Sequence, residues 1–246
     1  MLLVLFPVAS TEIVAQHHAK SSKKSTAKTE RNVSKSNVKN HGVHDYVDLG
    51  LPRGTLWATM NVGANTPEDY GDYFVWGETK PKSKYTAENS LVEDIYYVDG
   101  TMKYNELPAD RDAATANWGF DWRMPSDKQI IELLDGCDWA FTSQKGVSGY
   151  LGTSKYNNNT IFFPAAGYRL DVPPGAPSLS DAGEAGYYYG RESDGIGGPH
   201  GFEFYHGIEF NCVPSYGVHI YGYSDIACDY GTVVGNSVRA VRVSKY

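Results

Sequence analysis

No apolar stretch of this 246-residue chain reaches the ~18 residues a helix needs to cross a bilayer, so no membrane-spanning helix is expected. Cysteine is scarce: Cys137, Cys212 and Cys228 are the only three, and no C-x-x-C occurs. A structural zinc site therefore has no support. After export one pair can bridge and one thiol is left over, and Cys212–Cys228 is the pair to test. Excess positive charge is missing too. Lys and Arg number 22 against 29 Asp and Glu, a net charge of −7, and this argues against a nucleic-acid partner. No internal repeat is found.

What is present divides unevenly along the chain. Residues 1–15, "MLLVLFPVASTEIVA", resemble the apolar region of a secretory signal ending at the small residue Ala15, although the usual basic start is lacking. Residues 16–43 are almost entirely Lys, Ser, Thr, Asn and His. Such a segment buries too little apolar surface to offset its ordering entropy, and it reads as a disordered basic tether. Residues 44–246 are long enough for one substantial domain.

Within that domain, short apolar bursts punctuated by Gly and Pro indicate strands and turns. Ser126 stands three residues before Gln129, a capping box. It predicts a helix whose apolar face is Ile130, Ile131, Leu133 and Leu134, ending at Gly136. A weaker helix is expected over 109–118. "GFEFYHGIEFNCV" and "YGVHIYGY" alternate as strands do. The alternation puts Val218 and Ile220 inward, with His219, Tyr221 and Tyr223 on the other side. "GNSVRAVRVSKY" reads as a final strand. The fold class is α+β, two helices against mainly antiparallel strands.

Four blocks in order, "DYVDLGLPRGTLWATMNVGANTPEDYGDYFVWGETKPK", "WGFDWRMPSDKQIIELL", "IFFPAAGYR" and "GNSVRAVR", resemble the Fibrobacter-type major paralogous domain. That family belongs to the C-type lectin-like superfamily, alongside the formylglycine-generating enzyme fold. The resemblance spans about residues 44–243. It implies two helices flanking sheets, paired N- and C-terminal strands, and a long loop region displayed on one face. It also implies secretion, or display at the cell surface of a Gram-negative bacterium. Met60 stands where the family often has Cys, which leaves Cys137 without its customary partner. Tyr187, Tyr188, Tyr189 and Gly190 replace the family's usual aromatic-Trp-Ser-Ser stretch.

The closely spaced catalytic cysteines of the related oxidases have no counterpart here, so no catalytic residue is assigned and no enzyme is expected. Glu203 and Glu209 form a carboxylate pair, but on strands of unknown register solvated rim residues are the plainer reading. The Glu-Pro-Asn and Gln-Pro-Asp triplets of calcium-dependent lectins are absent, and Asp194, Asp225 and Asp229 have no ligand spacing. No metal and no cofactor are expected.

Residues 187–230 carry the chemistry of a paratope, in which Tyr supplies rigid amphipathic area and Gly and Ser supply adaptability. So many phenols fit an exposed face better than a core. The expected aromatic anchors are Tyr187, Tyr188, Tyr189, Tyr205, Tyr221 and Tyr223. The expected polar contacts are Arg191, Asp194, His200, His206, His219 and Asp225. The five tryptophans, Trp57, Trp76, Trp118, Trp122 and Trp139, read as packing residues. From 170 to 244 there is no Lys, Gln, Met or Trp. The resemblance gives this a meaning, because some C-type lectin-like proteins are diversified by retroelements that mutate adenines in Asn codons. Such codons never become Lys, Gln, Glu, Met or Trp, so Glu192, Glu203 and Glu209 are then unrandomised positions. The expected role is binding of a protein or carbohydrate on another cell or particle. The rivals are a fixed-specificity glycan-binding or structural adhesin module and an oxidase of the formylglycine-generating type.

Overall fold

The structure, a computed structural model, describes residues 39–40, 44–91, 103–171, 178–193, 199–208, 214–221 and 233–242, with backbone alone at 39–40, 203, 205–208 and 214–221. All belong to one compact unit, Ser34–Tyr246. The leader over 1–15 lies outside the described residues, as does the tether apart from Lys39–Asn40. Those two residues form strand β1 and pair with Tyr46 and Asp45, so ordered pairing begins before the expected boundary at residue 44.

The remaining strands are β2 (Asp45–Asp48), β3 (Leu56–Ala58), β4 (Trp122–Arg123), β5 (Cys137–Gln144), β6 (Val147–Ser154), β7 (Thr160–Pro164), β8 (Tyr168–Arg169), β9 (Leu179–Ser180), β10 (Ala185–Ser193), β11 (Pro199–Ile208), β12 (Pro214–Tyr221) and β13 (Val241–Arg242). The helices are α1 (Ala113–Trp118) and α2 (Asp127–Gly136), with a single 3-10 turn at Ala87–Asn89. The sheets run β1-β2-β3-β13-β4, β5-β6-β7, β8-β9 and β10-β11-β12, and every strand pairing is antiparallel. The α+β class stands. The C-terminal strand β13 lies between β3 and β4, so the two ends of the domain are joined in one sheet. No helix among the described residues is long and apolar enough to cross a membrane.

Helix α2 begins where the capping box puts it: Gln129 N donates to Ser126 Oγ at 3.3 Å, and Ser126 N donates to Gln129 Oε1 at 3.0 Å. Ile130 and Leu133 are buried, whereas Ile131 is 44% exposed. Ile131 therefore falls outside the expected apolar face, since it is turned about 100° from Ile130. Gly136 is the last residue of the helix, and it packs close to Leu51, whose Cδ2 a Cβ there would meet at 2.6 Å. Helix α1 starts later than expected. Buried Asp112 caps it by accepting from Thr115 N at 2.9 Å, and the same carboxylate accepts from Met124 N, tying the helix to β4.

The interior splits into two large clusters. One holds Tyr46, Ala58, Phe74, Trp76, Met124 and Tyr189. The other holds Val47, Trp57, Ile130, Leu133, Phe163, Tyr188, Phe202 and Phe204. Adjacent residues of β2 and β3 enter opposite clusters, as do Tyr188 and Tyr189 of β10. Side chains alternate across a strand, so both β2-β3 and β10 have core on each face. Trp57, Trp76 and Trp122 are buried, and Trp118 and Trp139 pack half-buried against the clusters, as expected of packing residues.

Candidate functional site

The described residues of the Tyr-rich stretch fall on β10-β11-β12. Tyr188 is 0% exposed. Its ring stacks on Phe202 at 5.1 Å and meets Phe163 edge-on at 5.2 Å, and its hydroxyl donates to Pro164 O at 2.7 Å. Tyr189 is 1% exposed and its hydroxyl donates to Val234 O at 3.3 Å. Neither ring is an exposed anchor, which corrects the expectation from composition. Each phenol has found a carbonyl partner, and that condition is what lets tyrosine serve in a core. Burial pushes the Tyr188 hydroxyl up to about 12, with smaller opposing contributions from Arg239 and Asn61.

Tyr187 behaves differently. It is half-buried, meets Tyr168 edge-on at 5.3 Å, and donates its hydroxyl to Asp181 Oδ2 at 2.9 Å. Across the sheet, Tyr187 stands opposite Glu203, and Glu203 stands opposite His219. The flanking rows are Ala185–Tyr205–Gly217 and Tyr189–Gly201–Tyr221. The alternate rows are Tyr188–Phe202–Ile220 and Gly186–Phe204–Val218. Directly opposite residues share a face of an antiparallel pair. The register therefore assigns Tyr188, Phe202, Phe204, Val218 and Ile220 to one face and Tyr187, Tyr189, Glu203, Tyr205, His219 and Tyr221 to the other, where Tyr189 and Ala185 are buried. His206 stands opposite Tyr216. Asp194, Tyr223, Asp225 and the Cys212–Cys228 pair lie outside the described residues.

Two expected polar contacts are instead structural ties. Arg191 Nε donates to Glu106 Oε1 at 2.6 Å, and its Nη1 donates to Met124 O and Gln129 Oε1, both at 3.2 Å. That guanidinium fastens β10 to the start of α2 and is not free to contact a ligand. His200 Nδ1 lies 2.7 Å from Asp127 Oδ2, pinning β11 to the same helix end. Glu192 completes this corner by accepting from Asp127 N at 3.3 Å. Its carboxyl is raised above its ordinary value, first by burial and then by the nearby Asp127 carboxylate.

A raised carboxyl favours the folded state below its unfolded value, near 4.5, and the benefit is lost as pH rises through the folded value. Glu192→Gln keeps an acceptor without the charge. Its Tm is expected to match the natural chain at pH 4 and to equal or exceed it at pH 7. Calorimetry at the two pH values checks this, and a variant less stable only at pH 7 would contradict it.

Cys137 is free and buried, and burial pushes its thiol up to about 11, so it is not poised as a nucleophile. No group of three or more metal-ligating side chains is found among the described residues. Sequence reasoning missed Tyr168 and Asp181, which hold Tyr187, and Asp127 and Glu106, which hold His200 and Arg191. No spacing links these residues, because the contacts are made by tertiary packing. Comparison with family models, with curated proteins and with solved structures returns no match.

Proposed function

We propose that this chain is an exported, surface-displayed binding protein with a C-type lectin-like fold, carrying no catalytic centre of its own. The Fibrobacter-type resemblance supplies the fold and the Gram-negative surface location. The observation that carries the binding role is the register of β10-β11-β12. One face is apolar and docked on the core, and the other gathers Tyr187, Glu203, Tyr205, His219 and Tyr221 with interleaved glycines, bordered on β10 by the buried Ala185 and Tyr189. Rigid aromatic rings beside acid, imidazole and glycine suit recognition of a protein or carbohydrate on another cell or particle.

Retroelement diversification belongs to the proposal only at positions outside the core. Randomising Tyr188, Tyr189, Phe202 or Phe204 would remove packing that the scaffold needs. A near-copy of codons 187–234 beside a reverse transcriptase gene would support diversification, with adenine-linked differences at surface positions only. Without one, the face has fixed specificity.

The test applies the labelled full chain to a panel of bacterial cells and to a glycan array. Combined Tyr187→Ser, Glu203→Lys and His219→Ala is expected to weaken binding at least about tenfold. The same variant should shift Tm by no more than about 2–4 °C. Undiminished binding by the variant, or no binding by the natural chain, would refute the role.

A further inference from the structure

A second concave surface lies away from β10-β12. At the seam of the five-stranded sheet and β5-β6-β7 is a cleft of about 350 Å³, reached from β2, the segment after β3, the β5–β6 turn and β7. None of its residues belongs to the face described above. Its size is at the small end of ligand sites, which run from about 300 to 1,000 Å³. Val47, Ile161 and Phe162 are buried and give it an apolar floor.

The rim has the opposite character. Asp45, Asn65, Gln144 and Thr160 line the cleft, and their side chains make no hydrogen bond to the rest of the described protein. One carboxylate, two carboxamides and one hydroxyl are thus available together, offering several acceptors and several donors. Lys145 also reaches the rim, but its ammonium is 3.0 Å from Glu68 Oε2 and is already compensated.

The wall is fixed from behind. Arg239 is fully buried, and its Nη1 donates to Thr59 O at 3.3 Å and to Phe162 O at 3.1 Å, both residues of the cleft. The backbone under the site is thereby held in place before any ligand arrives, which lowers the ordering cost of binding.

We infer that this cleft binds a neutral sugar of one or two rings, without a metal ion. The apolar floor matches the C–H face of a pyranose. The carboxylate and carboxamides match its adjacent hydroxyls, since a carboxylate accepts from two at once and an amide both donates and accepts. A purely apolar ligand would bury those four polar groups unpaired, which is unfavourable. An anion would meet the Asp45 carboxylate.

The test is saturation-transfer NMR on the full chain in EDTA. The probes are the methyl pyranosides of glucose, galactose and mannose, N-acetylglucosamine, lactose and cellobiose, with acetate and methylammonium as charged controls. At least one sugar is expected to bind with Kd of about 10 mM or tighter. Asp45→Ala and Gln144→Ala should each weaken it about tenfold, and Phe120→Ser, at a ring 83% exposed elsewhere, should leave it within about twofold. Neither rim side chain makes a hydrogen bond among the described residues, so both variants are expected to fold. The inference is overturned if no sugar binds, if binding appears only when calcium is restored, if a charged control binds more tightly, or if both rim variants bind as well as the natural chain. Because the cleft and β10-β12 share no residue, failure here leaves the proposed face standing.

Discussion

Tyr188→Ala is expected to destabilise the domain by about 3–5 kcal/mol, the range for removing a large buried ring. The ring lies among Phe163, Phe202 and Phe204, with no exposed atom area to speak of. Deleting it opens a cavity between β10 and β7, and a rigid sheet cannot collapse into the space. Tyr188→Phe keeps the ring and loses the hydroxyl that donates to Pro164 O, so it should cost only about 1 kcal/mol. The same phenol predicts an alkaline limit. Its folded value is raised to about 12 from an ordinary 10, so its contribution is complete below pH 10 and is lost as pH climbs through 12. Denaturant melts of the two variants, with absorbance of phenolate during an alkaline titration, check both statements. A Tyr188→Ala chain as stable as Tyr188→Phe would contradict the placement of this ring in the core.

Arg239→Met is expected to be comparably damaging, at about 3–5 kcal/mol, because several buried acceptors lose their donor at about 1–3 kcal/mol each. Arg239 is 0% exposed and meets no carboxylate among the described residues. Its guanidinium donates instead to Asn61 Oδ1 at 2.9 Å and to the carbonyls of Ala58, Thr59 and Phe162, and lies over the Phe163 ring at 4.4 Å. Burial pulls it down to about 10, the nearby Tyr188 hydroxyl acting weakly in the opposite sense. Methionine fills part of the volume but leaves those acceptors without a donor. Arg239→Lys should rescue little, because one ammonium cannot replace a planar fork reaching both β3 and β7. Thermal unfolding of the two variants decides this. If Arg239→Met melted within about 2 °C of the natural chain, the guanidinium would not be the clamp described here.

Local features were readable from the amino acids. The Ser126–Gln129 box placed the start of α2 because its two reciprocal bonds are made within four residues. The alternation in 199–208 and 214–221 gave strands, and the pairing of Phe202 with Ile220 and of Phe204 with Val218 agrees with the inward assignment of Val218 and Ile220. What could not be read was which phenols face the core. Period-two alternation states that Tyr188 and Tyr189 point oppositely, but not that both sides of β10 are covered. That depends on Trp76 and Met124 arriving from one side and Phe163 from the other. The same holds for Arg191 and His200, whose partners Glu106 and Asp127 are 85 and 73 residues away in sequence. Polar residues in a Tyr-rich segment look alike in composition whether they face a ligand or brace a helix.

The most direct test of the account is tyrosine nitration of the native full chain, read peptide by peptide. Modification is expected at Tyr187, Tyr205 and Tyr221, with Tyr188 and Tyr189 spared until denaturant is added. Equal protection of all five in the native protein would contradict it, as would early nitration of Tyr188.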